Sequence, residues 1–135
     1  MSKEQFLAAF NMKVPPSPTA ALPIVTFSQD MSLYLNGDSV RAVHVRNAHT
    51  DGDVIVTFEK ADVVHMGDTF FNGFYPLVDL STGGSIDGII AAVNQVLSRT
   101  TSKTKIIPGH GPVGDRSHVT EFRDVLAGVR RRDDD

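Results

Sequence analysis

The chain has 135 residues, enough for one ordinary domain with a single core. Its 13 basic and 16 acidic residues give a formal net charge of −3, and the basic residues are scattered except at 130–132, which the acidic residues 133–135 offset. We therefore expect no nucleic-acid partner and no attraction to an anionic membrane. There are no cysteines, so any metal must be held by histidine and carboxylate side chains.

The amino-terminal region is expected to be a lead-in to one domain that spans residues 1–135. Phe6, Leu7 and Phe10 lie on one side of a helical pattern over 3–10, and the prolines that follow end it. We thus predict a helix and a proline-rich lead-in over 1–20, and a charged tail over 130–135. No apolar run is long enough to span a bilayer and no signal peptide is recognisable, so a cytoplasmic location is expected.

The middle of the chain has the patterns of β-strands. Short strands are predicted over 24–28, 31–35 and 40–45, and the Asn-Gly pair between the last two predicts a two-residue hairpin. Two more follow at 54–58 and 62–66, the first so apolar that it should be covered on both faces. Residues 70–84 show no clean period, which predicts a loop whose aromatic residues Phe70, Phe71, Phe74 and Tyr75 form an apolar wall.

Two amphipathic helices and a short strand complete the pattern. Ser85 is predicted to cap a helix whose apolar stripe runs from Ile86 to Leu97. A strand is predicted over 105–107, and a last helix over 117–132. The order of elements indicates an α/β fold with a helix packed on the sheet.

Several acidic and imidazole side chains follow predicted strands in glycine-containing loops. They are His49 and Asp51 after the strand at 40–45, then Asp68, and then His110. If these strands lie side by side, the groups meet at one edge of the sheet, and histidine with carboxylate is typical of zinc. The glycines that flank the last histidine let the backbone bend sharply and leave the imidazole unobstructed. The alternative is that each residue only stabilises a turn.

Three motifs occur in order along the chain: AHTDGD at 48–53, GD at 67–68 and PGHG at 108–111. With them, the chain resembles the downstream half of the metallo-β-lactamase superfamily. The resemblance implies half of an αββα sandwich, with one mixed sheet and helices on one face. It also implies that His49 binds one zinc ion, that Asp68 bridges two metals, and that His110 binds the second.

The family's HxHxDH motif does not occur in this sequence. The chain therefore resembles a family member without its amino-terminal half, with only part of the ligand set. In the family, zinc lowers the pKa of its bound water toward about 7 and polarises a lactam, ester, thioester or phosphoester. The resemblance implies a zinc-dependent hydrolase, but this chain alone is expected to bind metal weakly and to be inactive or weak.

Half of a two-sheet fold should present an apolar sheet face that a missing partner would have covered. We therefore expect a homodimer, or a complex with a complementing amino-terminal half. The alternative function is a non-catalytic, dimerising half-fold module or a fragment of a larger protein. The fold supports many substrates through its loops, so the resemblance implies a class of reaction and not one substrate.

Other polar residues near these motifs are expected to have structural roles. His44 alternates with valines in a predicted strand and should be structural or face solvent. Asp51 and Asp53 are expected to stabilise a turn, with Asp53 or Thr50 orienting His49.

Overall fold

A computed structural model describes residues 4–7 and 11–133, and this part of the chain forms seven β-strands and two α-helices. The strands are β1 (Gln5–Leu7), β2 (Met12–Val14), β3 (Asp30–Leu35), β4 (Asp38–Val45), β5 (Asp53–Phe58), β6 (Val63–Phe71) and β7 (Lys105–His110). The helices are α1 (Ile86–Arg99) and α2 (Arg116–Asp133). Strands β1 and β2 pair with each other, and β3 to β7 form one five-stranded sheet in chain order. The sheet is mixed because β6 and β7 are parallel, whereas its other neighbours are antiparallel.

The hairpin between β3 and β4 has the predicted turn. Leu35 pairs with Asp38, so that only Asn36 and Gly37 connect the strands. Their φ angles of 52° and 74° both lie in the left-handed region that a type I′ turn requires. The hairpin prediction is confirmed.

Both helices contribute to one core on a single face of the sheet. Side chains alternate between the two faces along a strand, and Ile55, Val64 and Ile106 are buried on the helix side. They join buried residues of both helices, such as Ile89 and Val119, in one hydrophobic cluster. The predicted α/β fold, with one mixed sheet and helices on one face, is confirmed.

The opposite face of the sheet is apolar and only partly buried. We call it the open face, and its apolar members are Met31, Leu33, Leu35, Val40, Ala42, Val54, Val56, Phe58, Val63 and Ile107. The prediction that β5 is covered on both faces is therefore wrong. Its apolar run reflects two apolar faces, of which only one carries helices.

The two helices begin as the sequence predicts. The Ser85 side chain caps α1 by accepting a hydrogen bond from the Gly88 amide at 3.0 Å. Asp115 accepts hydrogen bonds from the Ser117 hydroxyl and amide at the start of α2. These bonds, with others from His118, hold the pKa of the Asp115 carboxyl well below its usual value. Neither helix, nor any other in the described part of the chain, is long and apolar enough to cross a membrane.

The amino-terminal predictions need correction. The helix predicted over 3–10 is wrong at residues 5–7, which form β1 and pair with β2, and residues 3 and 8–10 lie outside the described residues. A few apolar residues fit helix and strand periods equally well, and strand pairing decides between them. The strand predicted over 24–28 does not form: Ile24 is fully exposed and Val25 largely so.

Two later boundaries also differ from the predictions. β6 continues through Phe71, so the loop predicted from residue 70 starts later, and Phe70 lies in the core. α2 extends to Asp133, so that most of the predicted charged tail is helical, and residues 134–135 lie outside the described residues. Arg130 in this segment pairs with Asp87 at 2.9 Å and thereby links α2 to the start of α1.

Two helical glycines give a test of how α1 sits against the loop that follows β4. A Cβ at Gly88 would collide with the Asn47 carbonyl group, whereas a Cβ at Gly128 in α2 would meet no atom within 4 Å. Gly88→Ala should therefore destabilise the protein by about 2 kcal/mol, and Gly128→Ala should stabilise it by about 0.5–1 kcal/mol. Urea unfolding monitored by circular dichroism measures both. Equal effects of the two substitutions would contradict the close contact at Gly88.

Candidate functional site

Three predicted side chains meet at one edge of the sheet. His49 follows β4, Asp68 lies in β6, and His110 ends β7. The His49 Nε2 atom is 3.4 Å from Asp68 Oδ2, and the His110 Nε2 atom is 3.5 Å from Asp68 Oδ1. Each oxygen of the single carboxylate therefore faces a different imidazole.

Asp68 occupies an irregular point in the pairing of β6 with β7. The sequence predicted a loop here, but β6 continues and its register shifts instead. Gly67 pairs with Pro108 and the next aligned pair is Phe71 with His110, so that β6 has more residues in this interval than β7. Gly67 has a φ of 54°, which glycine adopts without steric cost. Such bulges re-aim side chains next to functional sites.

The glycines of the PGHG motif allow close backbone approach. A Cβ at Gly109 would collide with Asp68 Oδ1 and would also meet the Gly67 backbone, so the missing side chain makes room for the carboxylate. Gly111 has a φ of 98°, and a Cβ there would collide with the Asn72 carbonyl oxygen. The sharp bend predicted beside His110 is confirmed at Gly111. The role of Gly109 as space for Asp68 was not predicted.

A backbone carbonyl orients His49. The His49 Nδ1 atom donates to the Leu77 carbonyl oxygen at 2.5 Å, because a carbonyl can only accept. The Nε2 atom that faces Asp68 therefore carries the lone pair of the neutral ring. The prediction that Asp53 or Thr50 orients this ring is wrong. Asp53 instead accepts hydrogen bonds from the Thr50 amide and hydroxyl, at 2.8 and 3.2 Å, and stabilises the turn.

The segment from Leu77 to Ser85 clamps the loop that carries His49. The His49 carbonyl oxygen accepts from the Asp79 amide at 2.9 Å, and the Ala48 carbonyl oxygen accepts from the Ser85 amide at 2.8 Å. The Asp79 side chain accepts from the Ser81 hydroxyl, and this bond lowers the pKa of the Asp79 carboxyl. The histidine is therefore fixed from both its backbone and its ring.

Phe71 contacts both imidazoles. Its ring stacks on His110 with centroids 4.8 Å apart and planes 4° from parallel. It also meets His49 edge-on at 6.4 Å. Because the His110 side chain is 62% exposed and that of His49 only 15%, the stacked phenyl ring is the main restraint on the His110 imidazole.

The loop of His110 is tied to Asn72. The Asn72 amide donates to the His110 carbonyl oxygen, and the Asn72 side chain donates to the Pro112 carbonyl oxygen, both at 2.9 Å. Sequence reasoning missed Asn72 and Leu77 as parts of the site. Leu77 acts through its backbone carbonyl, and a carbonyl is present at every position of the sequence. The only sequence signal for Asn72 was that it follows Phe71.

The other predicted features have local roles. Both ring nitrogens of His44 lie against backbone carbonyls, of Ser28 at 3.1 Å and Asp51 at 2.7 Å, which confirms a structural role. Part of the predicted aromatic wall forms: Phe71, Phe74 and Tyr75 line a cavity of about 450 Å³ against α2. Phe70 is not part of this wall, because it lies in the core.

No group of three or more His, Asp or Glu side chains in residues 4–7 and 11–133 is arranged to hold one metal ion. The geometry explains this, since the two imidazoles lie on different oxygens of Asp68 and not around a common point. The arrangement is thus two imidazole–carboxylate pairs that share one carboxylate.

Comparison with known proteins agrees with this fold. A sequence model of the metallo-beta-lactamase superfamily matches residues 2–110, so the chain belongs to that superfamily. None of the curated proteins matches the chain significantly.

Solved structures of similar fold include a metallo-beta-lactamase from Pontibacter korlensis, with a TM-score of 0.65 and 21% identity over 89% of this chain and 53% of that one. TTHA1623, solved in a di-iron-bound form, has a TM-score of 0.63 and 24% identity over 84% of this chain and 52% of its own. The DIM-1 metallo-beta-lactamase has a TM-score of 0.62 and 20% identity over 76% and 47%. The chain spans about half the length of these proteins.

The space at Gly109 can be tested without any ligand. Gly109→Ala should displace the Asp68 carboxylate and shift the imidazole NMR resonances of His49 and His110. The matched control is Gly52→Ala, because a Cβ there meets no atom within 4 Å. Unchanged histidine resonances in Gly109→Ala would contradict the packing of Asp68 against this glycine.

Proposed function

We propose that this chain supplies part of a two-metal hydrolase centre, in which Asp68 is shared between one ion held with His49 and another held with His110. The distances support this. Two ligands that each lie 2.0–2.2 Å from a tetrahedral zinc ion are about 3.4 Å apart, and the two nitrogen-to-oxygen distances are 3.4 and 3.5 Å. A charge-assisted hydrogen bond between the same atoms would be shorter, about 2.8 Å.

The donor atoms also suit such ions. Imidazole nitrogen and carboxylate oxygen bind zinc and iron, and the chain has no cysteine to select a softer metal. We propose zinc first and iron second, the latter because TTHA1623 was solved in a di-iron-bound form.

The chain's own residues would orient the ligands. The Leu77 carbonyl oxygen keeps the His49 proton on Nδ1, so that Nε2 is free to bind. Phe71 holds the His110 ring by stacking, and Asp68 presents one oxygen to each imidazole. When bound, the metal would lower the pKa of a water molecule and polarise a lactam, ester, thioester or phosphoester centre.

The centre is incomplete within the described residues. Each ion would receive two donors from this chain, one imidazole and one carboxylate oxygen, whereas catalytic zinc sites use three protein ligands. We infer that the remaining ligands come from outside this sequence, such as from an amino-terminal half of the two-sheet fold. By itself the chain should bind metal weakly and hydrolyse slowly or not at all.

Calorimetric titration with zinc tests the ligands. His49→Ala and His110→Ala should each weaken binding by at least about 10–100-fold at one ion, since loss of a residue that only supports a ligand already costs that much. Asp68→Asn should weaken both, because both pairs share this carboxylate. His118→Ala is the control, because His118 is a surface histidine near the start of α2 that pairs with Asp115 at 2.9 Å and with none of the three proposed ligands. A His110→Ala variant that binds zinc as the parent does would contradict the proposal.

A second candidate function is a non-catalytic dimerising module, which the open face favours. It is separated from the hydrolase by assaying a lactam, a thioester and a phosphodiester with zinc, with and without an added amino-terminal half of a solved metallo-beta-lactamase. The hydrolase predicts turnover that a chelator and Asp68→Asn both abolish. Absence of turnover in every mixture would favour the module.

A further inference from the structure

Four aromatic rings line the cavity of about 450 Å³ between the loop after β6 and helix α2. Phe71 and Phe122 are each only 7% exposed, whereas Phe74 and Tyr75 are 62% and 78% exposed. Two of the rings are therefore enclosed in the protein, and the other two reach solvent at the mouth of the cavity. A space of this volume is in the range of small-molecule sites.

One side of α2 forms a wall of this cavity. The residues that line it from the helix are His118, Glu121, Phe122, Val125 and Leu126. They recur at intervals of three and four residues, which places them on one side of a helix. The Phe122 ring also meets Phe70 of the core edge-on, with ring centroids 5.3 Å apart. This wall is therefore anchored in the core.

The loop that forms the other wall is also held in place. The Asn72 side chain donates to the Pro112 carbonyl oxygen at 2.9 Å, directly after β6 ends at Phe71. Gly73 then has a φ of 87°, a left-handed conformation that glycine adopts without steric cost. Both walls thus depend on contacts outside the cavity, which is typical of a largely pre-formed binding site.

The charge along the cavity is negative. Glu121 contributes a carboxylate, and within the described part of the chain no lysine or arginine lines this space or forms an ion pair with Glu121. His118 also lines the cavity, but Asp115 Oδ1 is 2.9 Å from its Nδ1 atom and balances any positive charge on the ring. An anionic ligand would therefore be repelled here and a cationic ligand attracted.

The aromatic rings add a second attraction for cations. The face of an aromatic ring carries partial negative charge, and several rings around one space are the usual recognition site of quaternary ammonium groups. This cavity combines four such rings with the Glu121 carboxylate. A neutral apolar ligand would gain from the rings but nothing from the carboxylate, so the lining favours a cation.

We propose that this cavity binds an organic cation of the alkylated ammonium class, with its charged group among the aromatic rings and beside Glu121. Phe71 lines the cavity and stacks on His110, so a bound cation should perturb the His110 imidazole. Binding here needs no metal ion, and none of His49, Asp68 and His110 lines the cavity. Failure of this proposal therefore leaves the proposed metal centre standing, and the reverse also holds.

NMR titration of the full chain without added zinc, at mildly alkaline pH where histidine is ordinarily uncharged, tests the site with two matched probes. Choline carries a trimethylammonium group, and 3,3-dimethylbutanol has the same shape with a carbon atom in place of the charged nitrogen. Choline should bind at least about 10-fold more tightly than the alcohol. Its binding should shift the ring resonances of Phe71 and His110.

Two exposed residues separate the contributions of the charge and the rings. Glu121→Gln should weaken choline binding by about 5-fold and leave binding of the neutral alcohol unchanged. Tyr75→Ala should weaken choline binding by about 5-fold through loss of one ring. Glu59→Gln and Tyr34→Ala are the matched controls, because both residues are exposed and neither lines the cavity; they should bind choline as the parent does.

Far-UV circular dichroism checks that each variant is folded. Equal affinity of the parent for the two probes would overturn the proposal, because the cavity would then select apolar shape and not charge. Choline binding that Glu121→Gln and Tyr75→Ala both leave unchanged would also overturn it, since the cation would lie elsewhere. An absence of choline binding at tens of millimolar would overturn it as well.

Discussion

The parallel pairing of β6 with β7, and the shift in its register after Gly67, determine the geometry of the site. The shift turns Asp68 toward the edge of the sheet, and the missing side chain of Gly109 leaves room for its carboxylate. Both imidazoles then reach the same carboxylate, each at a different oxygen, one from the loop after β4 and one from the end of β7. The contacts around His49 and His110 hold this arrangement in place.

The sheet has two different surfaces, and each bears on a different proposal. Helices α1 and α2 bury one face in a core that includes Ile55 and Ile106, so the strands that end at the site are supported from that side. The other face is apolar but open. A chain that spans about half the length of its structural relatives thus contains one complete core, half of a proposed metal centre and one uncovered sheet face.

The sequence predicted the elements that neighbouring residues determine by themselves, such as the β3–β4 hairpin and the Ser85 cap of α1. Asn36 and Gly37 specify their turn because only a few residue types adopt two successive left-handed conformations. The meeting of the three site side chains was expected on the condition that their strands lie side by side, and the family resemblance implied the same three residues; the strand order of the sheet meets that condition. The hydrogen bond from His49 to the Leu77 carbonyl could not be predicted, because every residue has a backbone carbonyl. The stacking of Phe71 on His110 could not be predicted either, because it depends on the register between β6 and β7. The amino-terminal helix failed for the same reason, since pairing of β1 with β2 overrode a short helical pattern.

We propose that one carboxylate, Asp68, is shared by two ions that the two imidazoles hold separately. Anomalous X-ray diffraction at the zinc edge, from crystals of the chain grown with zinc, tests it most directly. We expect two anomalous peaks, one between Asp68 and His49 and the other between Asp68 and His110. A single peak that touches both imidazoles without the carboxylate, or peaks distant from Asp68, would contradict it.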